Sequence, residues 1–146
     1  MESSDQRTCK PLVCEPRLRV RYAETDQMKV VYNANYFVWF EIGRVELLRE
    51  LGFSYLELEQ DGYALPVVEV HCRYRQPALY DDVLIIRTQI AHLRSKLIRF
   101  DYKVIRESTG ELLAEGDSTH MVKGPDGKIS ALPDKYLGPM REAAGC

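Results

Sequence analysis

Tyr22-Ala23-Glu24-Thr25-Asp26-Gln27-Met28-Lys29-Val30-Val31-Tyr32-Asn33-Ala34-Asn35-Tyr36 joins an alternating stretch to a strongly apolar one that continues to Leu51. Upstream of it, Leu18, Val20 and Tyr22 alternate with Arg17, Arg19 and Arg21, the period of a half-buried strand over 17–23. Downstream, the pattern predicts a long helix from Ala34 or Asn35 to Leu51, with Asn33 or Asn35 able to cap it and Gly52 placed to end it. At ~1.5 Å per residue such a helix is roughly 25 Å long. Its first turns, Tyr36-Phe37-Val38-Trp39-Phe40, are apolar on nearly every side and call for enclosure by protein, while Arg44, Glu46, Arg49 and Glu50 mark a wetter second half.

Beyond the helix, Ser54-x-x-Glu57 reads as a capping box for a short helix to Gln60, and Asp61-Gly62 turns the chain. Strands are expected over Ala64–Arg75, Val83–Leu93, Leu97–Glu107, Glu111–Lys123 and a short Lys128–Leu132, with mostly short connections that suit antiparallel neighbours. Alternation puts Leu84, Ile86 and Ile90 on one face of their strand and Ile98, Phe100, Tyr102 and Val104 on one face of the next. Small residues at Ala114, Gly116 and Ser118 let a helix lie close. The result is an α+β layer architecture, one long central helix wrapped by a curved antiparallel sheet of five to six strands. One helix covers only one face, so Val67, Leu79 and Leu113 are expected to face solvent or a second subunit. Residues 1–15 form a flexible or extended lead-in, 16–140 a single domain with a brief turn or helix near Leu132–Leu137, and 141–146 a frayed end.

The 146 residues suffice for a self-contained core, and 45% apolar with 29% charged residues is ordinary for a soluble domain. A net charge of −2 offers nucleic acid no electrostatic footing. The polar, acidic start is unlike a signal peptide, and no apolar run approaches the roughly 20 residues that span a bilayer, so the expected location is the cytoplasm, with no membrane insertion. Cys9, Cys14, Cys72 and Cys146 lack metal or redox spacing and read as reduced thiols. His71, His92 and His120 form no H-x-x-x-H pair, so no metal site is expected.

Asp26 sits seven residues ahead of Asn33, where the helix begins. One reading makes it a turn residue that bonds backbone N–H groups a few positions on. The other makes it a catalytic carboxylate, attacking a carbonyl or activating water. The first N–H groups of a helix lack internal partners, and with the positive end of the helix dipole they can stabilise a developing oxyanion. Acyl transfer or hydrolysis is the reaction class that combines the two.

Arg19-Val20-Arg21-Tyr22-Ala23-Glu24-Thr25-Asp26 followed by Val30-Val31-Tyr32-Asn33-Ala34-Asn35-Tyr36 resembles the signature of the hotdog-fold acyl-CoA thioesterases of the 4-hydroxybenzoyl-CoA thioesterase and YbgC type. Leu65–Tyr74 and Ile98–Tyr102 are similar to that family too, and the resemblance covers roughly residues 17–125. It implies a hotdog fold, an aspartate matched by Asp26, and an oxyanion position matched by the backbone N–H of Asn33. It further implies a homodimer or homotetramer with the acyl pocket at a subunit interface, and no metal or cofactor, coenzyme A being part of the acyl-CoA substrate. Two departures stand out: Met28 and Lys29 replace glycines common after the aspartate, and Asn33 replaces a histidine or aromatic residue. A positive φ at Lys29 costs on the order of 1 kcal/mol, so a different loop path is expected there. Substrate-binding candidates are Tyr32 and Tyr36 for the acyl group, with Arg73, Arg94, Ser95 and Lys96 for the coenzyme A phosphates. Glu41 reads equally as a second acid or as the ion-pair partner of Arg44, and Glu69 with His71 as a surface or interface pair. Two other classes compete. A non-catalytic acyl-CoA or acyl-carrier binding module needs no turnover, and a hydratase needs a histidine beside the acid.

Overall fold

The computed structural model describes residues 11–145. Cys9, Cys146 and the first ten residues of the lead-in lie outside that range. Five strands form one antiparallel sheet in the order β1-β3-β4-β5-β2: β1 Arg17–Arg19, β2 Val67–Tyr74, β3 Val83–Arg94, β4 Leu97–Arg106 and β5 Leu112–Met121. Helix α1, Asn35–Glu50, packs on the sheet, followed by α2, Tyr55–Gln60, and near the C-terminus by α3, Asp134–Ala143. This is the α+β architecture expected, with five strands; Lys128–Leu132 contributes only an isolated bridge, Ile129 to Lys123.

The first strand ends earlier than its alternation predicts. The carboxylate of Glu24 accepts from the Arg21 N–H at 2.8 Å, closing a 3-10 turn over Tyr22–Glu24 that withdraws the backbone from the ladder. Tyr22 consequently points to solvent, whereas Val20 stays in the core. Helix α1 starts after Ala34, which has no side chain to cap with, and the amide of Asn35 donates to the Glu24 carbonyl at 2.8 Å instead of capping. At its other end Gly52 takes φ +100°, with Gly52 N–H bonded to Arg49 O and Phe53 N–H to Leu48 O, a Schellman stop. Ser54 caps α2 through the Glu57 N–H as expected.

The core lies between α1 and the sheet. Leu84, Ile86 and Ile90 of β3 and Ile98, Phe100, Tyr102 and Val104 of β4 are buried there, the faces that alternation assigned. Close approach is set by two glycines. A Cβ on Gly43 of α1 would stand 2.2 Å from Thr88 Oγ1 on β3, and one on Gly116 of β5 would stand 2.8 Å from the Phe40 ring. The small-residue strip of β5 thus admits an aromatic side chain, and the helix backbone approaches β3 instead. Phe40 stacks on Tyr102 at 4.3 Å between centroids.

Three expectations are corrected. Leu113 is fully buried: Val104 pairs with Ala114 but Ile105 with Leu112, so Leu113 is the extra residue of a β-bulge, which re-aims its side chain. The C-terminal segment does not fray at residue 141: α3 continues to Ala143, its Tyr136, Leu137, Met140 and Ala143 are buried, and Ala143 O accepts from Leu12 N–H. The start of α1 is only half enclosed within one chain; Tyr36, Trp39 and Phe40 are buried, but Phe37 and Val38 remain exposed, as do Val67, Val68 and Val70 of the edge strand β2. Among the described residues no helix is long and apolar enough to cross a membrane.

Candidate active site

Residues 24–33 fold back on themselves between the 3-10 turn and α1. Thr25 bridges Val31, Asp26 N–H bonds Val30 O, and Tyr32 N–H bonds Glu24 O. The tip is tight: Lys29 adopts φ +67°, so the glycine-like conformation is present despite the lysine, and the expected alternative path is not taken. Asp26 supplies the bonds that hold the tip. Its Oδ1 accepts from Met28 N–H at 2.8 Å and its carbonyl from Lys29 N–H at 2.9 Å. No protein donor reaches its second carboxylate oxygen among the described residues, and the residue is exposed. The turn role is thus present, with one oxygen left over for chemistry.

Around the helix start the bonds are of the tight i to i−3 kind: Asn35 N–H to Tyr32 O, Tyr36 N–H to Asn33 O and Phe37 N–H to Ala34 O. The N–H groups of Asn33 and Ala34 have no acceptor among the described residues. They are two adjacent donors at the positive end of α1, as an oxyanion site requires. Tyr74, on the edge strand, donates its hydroxyl to the Asn33 carbonyl at 2.8 Å and packs edge-on against Tyr36. That bond polarises the peptide whose N–H belongs to Ala34.

A cavity of about 250 Å³ opens here, lined by Val31, Asn33, Tyr36, Tyr74, Arg75, Gln76 and Pro77. Its far wall is the connection from β2 to β3, clamped by Val31 N–H to Ala78 O, by Ala78 N–H to Tyr36 Oη, and by Arg106, which reaches Pro77 O at 2.9 Å and Asp82 at 3.1 Å. Burial, foremost, lifts the Tyr36 and Tyr74 phenols above the usual tyrosine range, so both stay neutral; Tyr74 donates its hydroxyl to Asn33 O and Tyr36 accepts from Ala78 N–H.

Of the candidates, Asn33 and Tyr36 meet in the cavity, and Asp26 stands on the same loop outside its lining. Tyr32 is exposed and engages through its backbone, its N–H bonded to Glu24 O and its carbonyl to Asn35 N–H. Arg73 lies on the opposite face of the sheet, in a charged groove of about 680 Å³ that contains neither Asp26 nor Asn33. Arg94, Ser95 and Lys96 form the β3–β4 turn. Leu97 pairs with Met121 whereas Tyr74 pairs with Ala114, which puts that turn about 23 Å along the sheet from the cavity. Within one chain these residues are not brought together.

Glu41 and Arg44 form no ion pair; Arg44 donates instead to Tyr102 Oη at 3.2 Å. His71 sits on the outer sheet face between Asp117 and Glu69, the surface pair expected, and His92 accepts from Arg94. His120 is buried, with Nδ1 against Leu65 O and Nε2 against Ser118, and burial pulls its pKa down to about 4. Among the described residues no histidine joins the loop or the cavity within one chain. Burial pushes the Cys14 thiol up to about 12 and raises Cys72, which keeps both protonated and unreactive. Among the described residues no metal-ligating cluster forms.

Sequence reading missed Tyr74, Arg106 and Glu24. The first two act across 41 and 29 residues of chain, which leaves no local pattern to find. Glu24 did leave a signal, an acid on the apolar side of a strand, but it is visible only once the strand is known to stop.

Comparison with known proteins places the chain in a family and fold. The family model described as the thioesterase-like superfamily matches residues 20–138. Over 126 residues the chain is 35% identical to the acyl-CoA thioester hydrolase YbgC of Escherichia coli O6:H1, covering 86% of this chain and 93% of that protein. A solved structure of a hypothetical protein from Thermus thermophilus superposes with a TM-score of 0.84 at 37% identity, over 88% of this chain and 97% of that one. That of DHNA-CoA thioesterase from Staphylococcus aureus gives 0.81 at 30% identity, over 90% and 87%. A match running from the end of β1 into α3, on a hotdog fold held in common with those structures, makes the chain a member of the thioesterase-like superfamily.

Proposed function

We propose that the protein is a cytoplasmic acyl-CoA thioesterase that hydrolyses an acyl- or aroyl-CoA to the free acid and coenzyme A. The observation that carries this reading is the pair of unpartnered N–H groups at Asn33 and Ala34, opening beside an aromatic cavity, on the loop that presents Asp26. The thioester carbonyl docks on the two N–H groups, and α1 favours the negative charge that develops as the carbon becomes tetrahedral. Asp26 acts through its free oxygen. As general base it takes a proton from water while the hydroxide adds to the carbonyl; as nucleophile it adds directly, and water then opens the mixed anhydride. On either route the C–S bond breaks, the thiolate of coenzyme A leaves and takes up a proton, and no further cofactor is needed.

The working form in this reading is a homo-oligomer. The outer edge of β2 carries no strand, and exposed Val67, Val68 and Val70 lie on it while Phe37 and Val38 are exposed on α1. A second copy on this edge would cover them and complete the cavity, and it is the natural source of the coenzyme A contacts that one chain does not assemble.

Free-thiol release from a panel of short, long and aromatic acyl-CoA esters tests the proposal, with wild type and Asp26→Asn in parallel. The variant should lose on the order of 10²–10⁴-fold in kcat, the range typical of a lost acid–base group. Saturable binding of every ester without release by wild type would make the protein a binding module instead. Repeated turnover in ¹⁸O-labelled water separates the two routes, because only an anhydride opened by water at the Asp26 carbonyl carries label into Asp26.

A further inference from the structure

We infer that Glu24 is a positioning residue for this reaction, the group that fixes Asp26 and the start of α1 in one frame; the assignment rests on the thioesterase reading above. Glu24 is 6% exposed, and both ends of the residue are fully engaged. Its carboxylate accepts from Trp39 Nε1 at 3.0 Å through one oxygen and from Arg21 N–H at 2.8 Å through the other. Its carbonyl accepts from Tyr32 N–H at 2.9 Å and from the Asn35 side-chain amide at 2.8 Å. Two residues later stands Asp26. The partners Tyr32 and Asn35 flank the two unpartnered donors, and Trp39 lies on the buried face of α1 one turn beyond, where it packs on Tyr36 of the cavity wall at 4.7 Å.

A carboxylate is a poor filler for such a place. Burying it costs desolvation, and among the described residues the only cation within reach, the Arg21 guanidinium, is 3.5 Å away on a largely exposed side chain. An apolar residue would avoid that desolvation but leave the buried Trp39 indole N–H without its acceptor. What a carboxylate supplies is two acceptors at fixed separation, one for the loop backbone and one for an indole on the helix. That geometry locks the rotation of α1 about its axis against the loop, and with it the direction in which the Asn33 and Ala34 N–H groups face Asp26. A displacement of even ~1 Å between reacting groups is enough to cost about 10²-fold in rate.

The test uses Glu24→Gln and Trp39→Phe, singly and combined, in the full chain. Glutamine keeps the volume but offers one acceptor where glutamate offers two; phenylalanine keeps the ring but removes the donor, and it serves if the first variant folds poorly. Each single variant should lower kcat about 10–100-fold with KM within about threefold of wild type, the split expected of a lost alignment. The double variant should fall no further than the worse single one, because both break one link. Trp39 is the only tryptophan in the chain, so in Glu24→Gln its emission should shift as the indole loses its carboxylate. Wild-type kcat in both folded single variants, or losses that multiply in the double variant, would overturn the assignment while leaving the thioesterase reading intact. A wild type inactive on every ester would sink that reading and this assignment together.

Discussion

Gly43→Ala tests whether the depth of α1 in the sheet governs catalysis. The new methyl carbon would stand 2.2 Å from Thr88 Oγ1 and 3.1 Å from Ile86 Cγ2. A carbon–oxygen contact closes at about 3.3 Å, so α1 must retreat from β3 by about 1 Å. Thr88 is fully buried and its hydroxyl is bonded to Ile86 O at 3.0 Å, so it cannot simply swing away. Overpacking of this kind costs about 1–3 kcal/mol, and alanine returns about 1 kcal/mol of helix propensity. The net loss of about 0–2 kcal/mol corresponds to a Tm lower by up to about 8 °C in a domain of this size. The kinetic effect should be larger. A ~1 Å shift of the oxyanion donors from Asp26 predicts roughly a 10²-fold drop in kcat at temperatures where the protein is fully folded. Thr88→Ala removes the obstructing oxygen, so the double variant should regain most of both losses. Thermal unfolding and acyl-CoA hydrolysis on the four proteins decide the matter; Gly43→Ala with Tm and kcat at or above wild type would refute the argument that close approach is required.

Removing the Tyr74 hydroxyl by Tyr74→Phe should lower kcat about 3–10-fold, since one neutral hydrogen bond to the Asn33 carbonyl is lost, with Tm nearly unchanged; an unaltered kcat removes Tyr74 from the site. Buried His120 is held neutral, with a folded pKa of about 4 against 6.5 unfolded. Its contribution is therefore complete above pH 6.5, is lost as pH falls from there toward 4, and amounts to about 3 kcal/mol. Denaturant unfolding from pH 7 to 4 should show a shallower pH dependence in His120→Asn than in wild type, and equal slopes would rule the effect out. Val68→Lys, on the exposed edge of β2, should shift the protein toward monomer in light scattering and reduce turnover in parallel; an unchanged mass would move the interface elsewhere.

The parts of the molecule that could be read directly were those set by neighbours in sequence. Strand faces such as Ile98, Phe100, Tyr102 and Val104 follow from a two-residue period, and Gly52 and Ser54 follow from the chemistry of helix ends. The readings that failed each needed a partner from far along the chain. Tyr22 continues the alternation of Leu18 and Val20, yet Glu24 turns the backbone before Tyr22 can face inward. Leu113 reads as a residue facing solvent or a second subunit, and only the slip in pairing between β4 and β5, which makes it the extra residue of a bulge, explains its burial. The same divide runs through the site. Asp26 and Asn33 were visible as a spacing, but the cavity wall comes from Tyr74 and Pro77, and the brace from Trp39 and Arg106.

Asp26 also shows why a catalytic and a structural reading of one residue need not exclude each other. One carboxylate oxygen and the carbonyl bind the N–H groups of Met28 and Lys29, and those bonds hold Lys29 at φ +67°, a conformation that opposes a side chain by on the order of 1 kcal/mol. The other oxygen has no protein partner among the described residues. An alanine at this position would release the loop and remove the carboxylate in a single step, and a dead enzyme would then say nothing about which loss mattered. Asparagine separates them, because its amide oxygen still accepts from Met28 while the negative charge is gone. Asp26→Asn with unchanged unfolding and acyl-CoA binding but little turnover therefore assigns the chemistry to the free oxygen. The same variant with a lower Tm and weakened binding would place the role of Asp26 in the turn.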